Sequence, residues 1–159
     1  MTVANVLKEF KGVYANDQAT GDADVQDLLS DGIWNMPITL DAAAGTDYTY
    51  ALIKVPFNVQ IIDVTICPGA ALTAADATAN TITLAKADGA GGSATTVASI
   101  VTNVASGNWV ADTFKSMTLS ATAANLLVND GQILTLKKTH ASTGTVTPAS
   151  TCTVRYRKV

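Results

Sequence analysis

Residues 48–66 read YTYALIKVPFNVQIIDVTI, and this stretch decides the fold class. Two β-type runs meet at a single corner, Val55-Pro56-Phe57-Asn58. Ahead of it Tyr48, Tyr50 and Leu52 share one parity, and Ala51, Ile53 and Val55 share the other. Behind it Val59, Ile61, Asp63 and Thr65 share one face, and Ile62, Val64 and Ile66 share the opposite one. Successive strand side chains point to opposite faces. A run apolar on both parities is therefore expected to be covered on both sides or to lie centrally in a sheet. Pro56 fixes its own φ and has no N–H to donate, so it belongs at the corner rather than inside a strand.

Working outward, the composition agrees with an all-β chain. There are 26 alanines and 23 threonines against a single glutamate. Glu and Lys build exposed helix faces, and their scarcity argues against a helical bundle. Thr and Val in short runs between Gly, Asn and Asp clusters favour strands. The 159 residues suit one domain with an arm. The formal charge of −3 makes no general case for nucleic acid binding. No basic segment leads into an apolar one, so no secretory leader is expected. No run of about 18 apolar residues exists to span a membrane. Cys67 and Cys152 are isolated, which points to two free thiols in a protein made in a reducing cytosol.

Residues 1–32 read differently. Val3, Val6, Leu7 and Phe10 fall at helical spacing, and residues 24–29 could form a second short turn before Gly32. Each piece is too short to be stable alone. Phe10, Tyr14, Leu28 and Leu29 suggest docking rather than solvation. This arm carries six acids and two bases, whereas residues 132–159 carry five bases and no acid. An acidic arm could therefore meet a basic strand edge of Lys137, Lys138, Arg155 and Arg157.

The domain is then expected over residues 33–159. It opens on an edge-like strand with Pro37 inside it, followed by the two runs above. Residues 68–79 form a long connection. Residues 80–86 alternate Ile82 and Leu84 with Thr81 and Thr83. Further runs cover 95–102, 112–119 with a bulge or bend, 126–128, 132–139 and 151–157, where Cys152, Val154 and Tyr156 face inward. The eight short runs after the Pro37 strand, antiparallel with long cross-connections, suggest a two-sheet jelly roll.

The chain carries little that resembles chemistry. His140 is the only histidine and Glu9 the only glutamate. Gly89-Ala90-Gly91-Gly92 lacks the Lys-Ser/Thr of a phosphate loop. Asp41, Asp47, Asp76, Asp88, Asp112 and Asp130 lie in turn contexts and make no calcium-loop spacing. No catalytic residue, cofactor or metal ligand is expected. Trp34 and Trp109 could form a sugar platform, with Trp109 beside Gly107-Asn108 the more exposed, although core or interface packing is the plainer reading.

Two segments carry a resemblance. One is residues 55–64, followed by Pro68-Gly69-Ala70-Ala71-Leu72-Thr73-Ala74-Ala75-Asp76 and the Thr81-Ile82-Thr83-Leu84 run. The other is residues 124–136, NLLVNDGQILTL after Ala124, with a last Thr153-Val154-Arg155-Tyr156 run. Together they resemble small jelly-roll proteins of tailed bacteriophages, which serve as head decoration (cement) proteins or virion surface domains. The resemblance spans about residues 46–159 and leaves out the arm. It implies a non-enzymatic virion protein on the capsid surface. Such a protein would be homotrimeric and bind the major capsid protein, with neither nucleic acid nor membrane as partner. A tail or fibre receptor-binding module is the alternative, and a carbohydrate-binding domain the rival class. Phe10, Tyr14, Leu28, Leu29 and Trp109 are the candidate interface residues.

Overall fold

The computed structural model describes residues 31–39, 45–89 and 93–159. The helical stripes of the arm, with Phe10, Tyr14, Leu28 and Leu29, lie outside the described residues. In chain order the elements are β1 (Asp31–Ile38), β2 (Tyr48–Lys54), β3 (Val59–Pro68), β4 (Asn80–Ala87), β5 (Thr95–Val101), a 3-10 turn (Val104–Ser106), β6 (Lys115–Ser116), β7 (Thr118–Leu119), helix α1 (Ala123–Leu126), β8 (Leu127–Val128), β9 (Ile133–His140) and β10 (Ser150–Lys158). Asp31 and Gly32, read as the end of the arm, are already the first residues of β1.

The strands form two antiparallel five-stranded sheets. One runs β1-β10-β3-β6 with β8 also on β3, and the other runs β2-β9-β4-β5-β7. The chain passes from sheet to sheet: β1 and β3 lie in the first sheet, β2 and β4 in the second, and β9 and β10 are again divided. Wrapping of this kind around a shared core is the jelly-roll arrangement. Met36, Ile61, Val64, Ile66 and Val154 line the core from the first sheet. Ile82, Leu84, Val97, Leu134 and Leu136 line it from the second.

The double apolar parity of residues 48–66 has a local cause. Asp63 pairs with Arg155 and Ile61 with Tyr156, so Ile62 is an extra residue in β3. This β-bulge switches the buried parity from Val59 and Ile61 to Val64 and Ile66. β2 does the same at Leu52, between Ala51 opposite Thr135 and Ile53 opposite Leu134. β3 is central, with β10 on one side and β6 and β8 on the other, whereas β2 is an edge. The corner carries the chain from one sheet to the other. The Val55 N–H donates to the Gln132 carbonyl (2.8 Å), and the Gly131 N–H donates back to the Val55 carbonyl (2.8 Å). Gly131 has a φ of 82°, which glycine adopts without strain.

The run at 112–119 bends, as its mixed parity suggests. β6 pairs with β3 in one sheet and β7 pairs with β5 in the other. The crossing residue, Met117, is buried between them, and its N–H donates to the Val64 carbonyl (2.8 Å). The run therefore counts as two strands, which makes ten among the described residues. Leu126, expected to begin a strand, instead ends α1. That short helix is closed by the Lys86 ammonium, which donates to the Ala124 and Leu127 carbonyls. Pro37 sits in edge strand β1, as expected. At the start of β1, Gly32 lies under the Tyr156 ring, where a Cβ would come within 2.3 Å of the ring.

Candidate functional site

The strand directions gather three connections at one end of the sandwich, 69–79, 102–114 and 141–149, beside the end of β1 and the start of β2. The corner at 55–58, the turn at 129–132, the start of β1 and the end of β10 lie at the other. Connections this long survive only when their backbone groups find partners. Leu72 and Trp109 exchange backbone hydrogen bonds of 3.0 and 2.9 Å. The Asp76 carboxylate accepts from the Val104 N–H (3.0 Å), and the Asn108 side-chain oxygen from the Ala74 N–H (3.0 Å).

Beneath these loops lies a buried polar knot. Asn80 is inaccessible to solvent; its amide donates to the Thr145 carbonyl (2.6 Å) and the Thr147 hydroxyl (2.7 Å). The Asn80 N–H donates to the Thr102 hydroxyl (2.9 Å). Connections 102–114 and 141–149 are thus fastened to the first residue of β4. At the rim, the Asp47 carboxylate accepts the His140 N–H (3.1 Å) and pairs with His140 Nδ1 (2.7 Å). The His140 hydrogen bond holds the Asp47 carboxyl below the usual carboxylate range, against the opposing effect of desolvation. This pair ties the entry of β2 to the end of β9. Neither the knot nor the pair was legible in the sequence, because Asn80, Asp47 and His140 are far apart along the chain.

The loop end is unusually apolar on its outside. Val104 and Phe114 are each 61% exposed, and Val110 and Val146 are also exposed. Four of the seven large exposed apolar side chains among the described residues therefore lie on two of these connections. On the flank beside them is a hollow of about 460 Å³ between β5 and β6. It is lined by Ser99, Asn103, Ser106, Lys115, Ser116 and Thr118, among others. Lys115 Nζ donates to the Ser106 carbonyl at 3.0 Å, and among the described residues no carboxylate lies within ion-pair distance of it.

Several residues singled out from sequence take other places. Trp109 is 1% exposed and belongs to the core, so in the single chain it is not an interface or platform residue. Its indole Nε1 has no hydrogen-bond partner among the described residues. Its neighbours Gly107 and Asn108 suggested exposure, but the backbone bridge to Leu72 turns the ring inward. Trp34 stacks on Tyr156 at 4.0 Å between ring centroids, with Phe57 alongside, so its face is occupied. The basic strand edge is also divided. Lys137 is exposed, but Lys138 follows the inward parity of Leu134 and Leu136 and is 0% exposed, with its ammonium 5.5 Å from the Tyr48 ring centre. Arg157 pairs with Asp31 (3.1 Å), and Arg155 sits opposite Asp63 in register.

Among the described residues no three His, Cys, Asp or Glu side chains converge on a metal-sized site. Among them, too, no helix is long and apolar enough to cross a membrane. Cys67 and Cys152 are both free thiols, the first half-buried and the second in the core. No known family model matches this chain, and no curated protein matches it.

Proposed function

We propose that this chain is a non-enzymatic structural protein of a phage virion, a decoration protein that binds the outside of the assembled head and stabilises it. The observation that supports this reading best is the loop end. A rigid jelly roll presents Val104, Val110, Phe114 and Val146 to solvent on pinned connections. Apolar side chains gathered on one surface mark interaction sites more often than scattered ones do. The jelly-roll topology is also the fold implied by the phage resemblance. The glycan-platform alternative loses its carriers, since both tryptophans are packed.

The mechanism is added interface area across subunit junctions of the shell. A protein that binds only the assembled lattice stabilises that lattice by mass action. Heads stripped of the protein should rupture or release DNA at a lower temperature than decorated ones, and re-addition should restore the difference. Equal rupture temperatures would reject the role and favour the tail or fibre module. Electron microscopy of the parent particle would locate the protein directly.

A further inference from the structure

The outer face of the second sheet carries a hollow of about 570 Å³, lined from β2, β4, β5 and β9. Its lining holds one charged group, Lys137, and neither a carboxylate nor an aromatic ring. Thr49 on β2 and Thr83 on β4 stand opposite Lys137 in register. Thr135 and Thr139 lie two positions to either side of it on β9, so they share its face. Lys137 is thus ringed by four threonines, at spacings of about 5 Å across the strands and about 7 Å along them. Ala85, also among the lining residues, is nearly buried.

Two features leave the hollow open to an outside partner. Among the described residues the hydroxyls of Thr49, Thr83, Thr96 and Thr139 bond to no protein group, whereas that of Thr135 donates to the Ala85 carbonyl (3.3 Å). Lys137 is exposed and, among the same residues, has no carboxylate within ion-pair distance. Asp47, whose carboxyl feels the Lys137 charge, is itself held by His140.

The chemistry of the lining narrows the occupant. A cation has no carboxylate to meet there. A phosphate dianion is better matched by two cations or an Arg fork than by one ammonium. A nucleobase has no ring to stack on. A peptide strand has no backbone edge to join, because β9 and β4 are each paired on both sides. What fits is a ligand with several hydroxyls and a single carboxylate, whose C–H surfaces rest on the threonine methyl groups and Ala85. A sugar acid has this form, and the volume lies within the range of about 300–1,000 Å³ usual for small-molecule sites.

We propose that this hollow binds a uronic acid unit of an acidic polysaccharide, with the sugar carboxylate on the Lys137 ammonium and its hydroxyls on Thr49, Thr83 and Thr139. Recognition here uses hydroxyls in place of the aromatic platform that the two packed tryptophans do not provide. The site lies on a sheet face and is independent of the head-binding reading of the loop end.

The test is a titration of the full ¹⁵N-labelled chain with tetragalacturonate, followed through amide shifts in two-dimensional NMR. The fully methyl-esterified tetramer, which lacks the charge, and tetra-aspartate, which lacks the hydroxyls, are titrated beside it. The expected result is saturable shifts of Thr49, Thr83 and residues 135–139 with tetragalacturonate alone. Lys137→Gln should weaken binding about tenfold, as for a hydrogen bond to a charged group, and Thr83→Val with Thr139→Val about fivefold. Both variants should keep the parent melting temperature, as surface changes usually do, so that lost binding is not lost fold. No shifts at millimolar tetragalacturonate, equal binding of the methyl ester or of tetra-aspartate, or a Lys137→Gln variant that binds as well as the parent would each overturn the proposal.

Discussion

At the scale of single residues, Asn80 is the side chain on which most depends. It satisfies the Thr145 carbonyl and the Thr147 hydroxyl in a site closed to water. Removing one partner from a buried hydrogen bond leaves the other desolvated and unpaired, at about 1–3 kcal/mol. Asn80→Ala should lower unfolding stability by at least about 2 kcal/mol in urea titration, because more than one group loses its partner. The two cysteines are distinguished by burial. Cys152 is 0% exposed, and burial pushes its thiol up to about 12, so at pH 8 it holds almost no thiolate. Iodoacetamide should leave Cys152 unmodified in the native protein and alkylate it readily in denaturant; equal labelling in both states would contradict its place in the core. Asp47 carries a pH signature. Its folded pKa lies below its ordinary 3.8, so its pairing with His140 favours the folded state above that value. The contribution is lost as pH falls through the folded pKa. Asp47→Asn should flatten the acid limb of the stability curve below about pH 4 and leave the limb above pH 8 unchanged.

At the scale of elements, the bulges matter more than the strands that carry them. Ile62 lets β3 bury Val59 and Ile61 on one parity and Val64 and Ile66 on the other. Deleting it forces one pair outward, since a slip of one residue reverses every side chain beyond it. Turning two such residues into water costs about 3–6 kcal/mol, a large part of the 5–15 kcal/mol that holds a domain together. A chain lacking Ile62 should show no cooperative melting transition, while Ile62→Thr, which keeps the residue count, should melt cooperatively. Both long edge strands are blunted. Pro37 interrupts the outer edge of β1, and the bulge at Leu52 interrupts β2. Devices of this kind discourage open-ended strand pairing. Under the proposed role, assembly is therefore better sought at the loops than along the sheet edges.

At the scale of the whole molecule, the sandwich separates stability from presentation. The apolar faces of both sheets are spent on one core, while Phe114 and Val110 contribute nothing to it. The double substitution Val110→Ser, Phe114→Ser should leave the melting temperature within about 2 °C, as surface changes usually do. The same variant should lose binding to heads, or self-association, measured by co-sedimentation. A large fall in melting temperature would instead mean that these side chains are packed in the folded chain. The charge asymmetry belongs to this scale as well. Among the described residues Lys115 has no carboxylate within ion-pair distance, while in the run of bases near the C-terminus Arg157 is engaged by Asp31.

The sequence by itself determined the fold class. Strand parity, Pro56 at a corner, Pro37 in an edge strand and the turn at 129–131 are local signals, and each acts through its own backbone geometry. They located nearly every strand and the inward faces of β4 and β10. Tertiary structure decided what depends on register between distant segments. Bulges at Leu52 and Ile62 are defined only by the partner strand, so the sequence shows two apolar parities without showing where they switch. The burial of Lys138 follows from the phase of β9, and that of Trp109 from a backbone bridge to Leu72, 37 positions earlier by number. The Asn80 knot, the Asp47–His140 pair and the Lys115 hollow are each built from residues that only the wrapping of the chain brings together. A site made of long-range neighbours leaves no period or motif in one dimension, which is why the architecture was legible and the candidate surface was not.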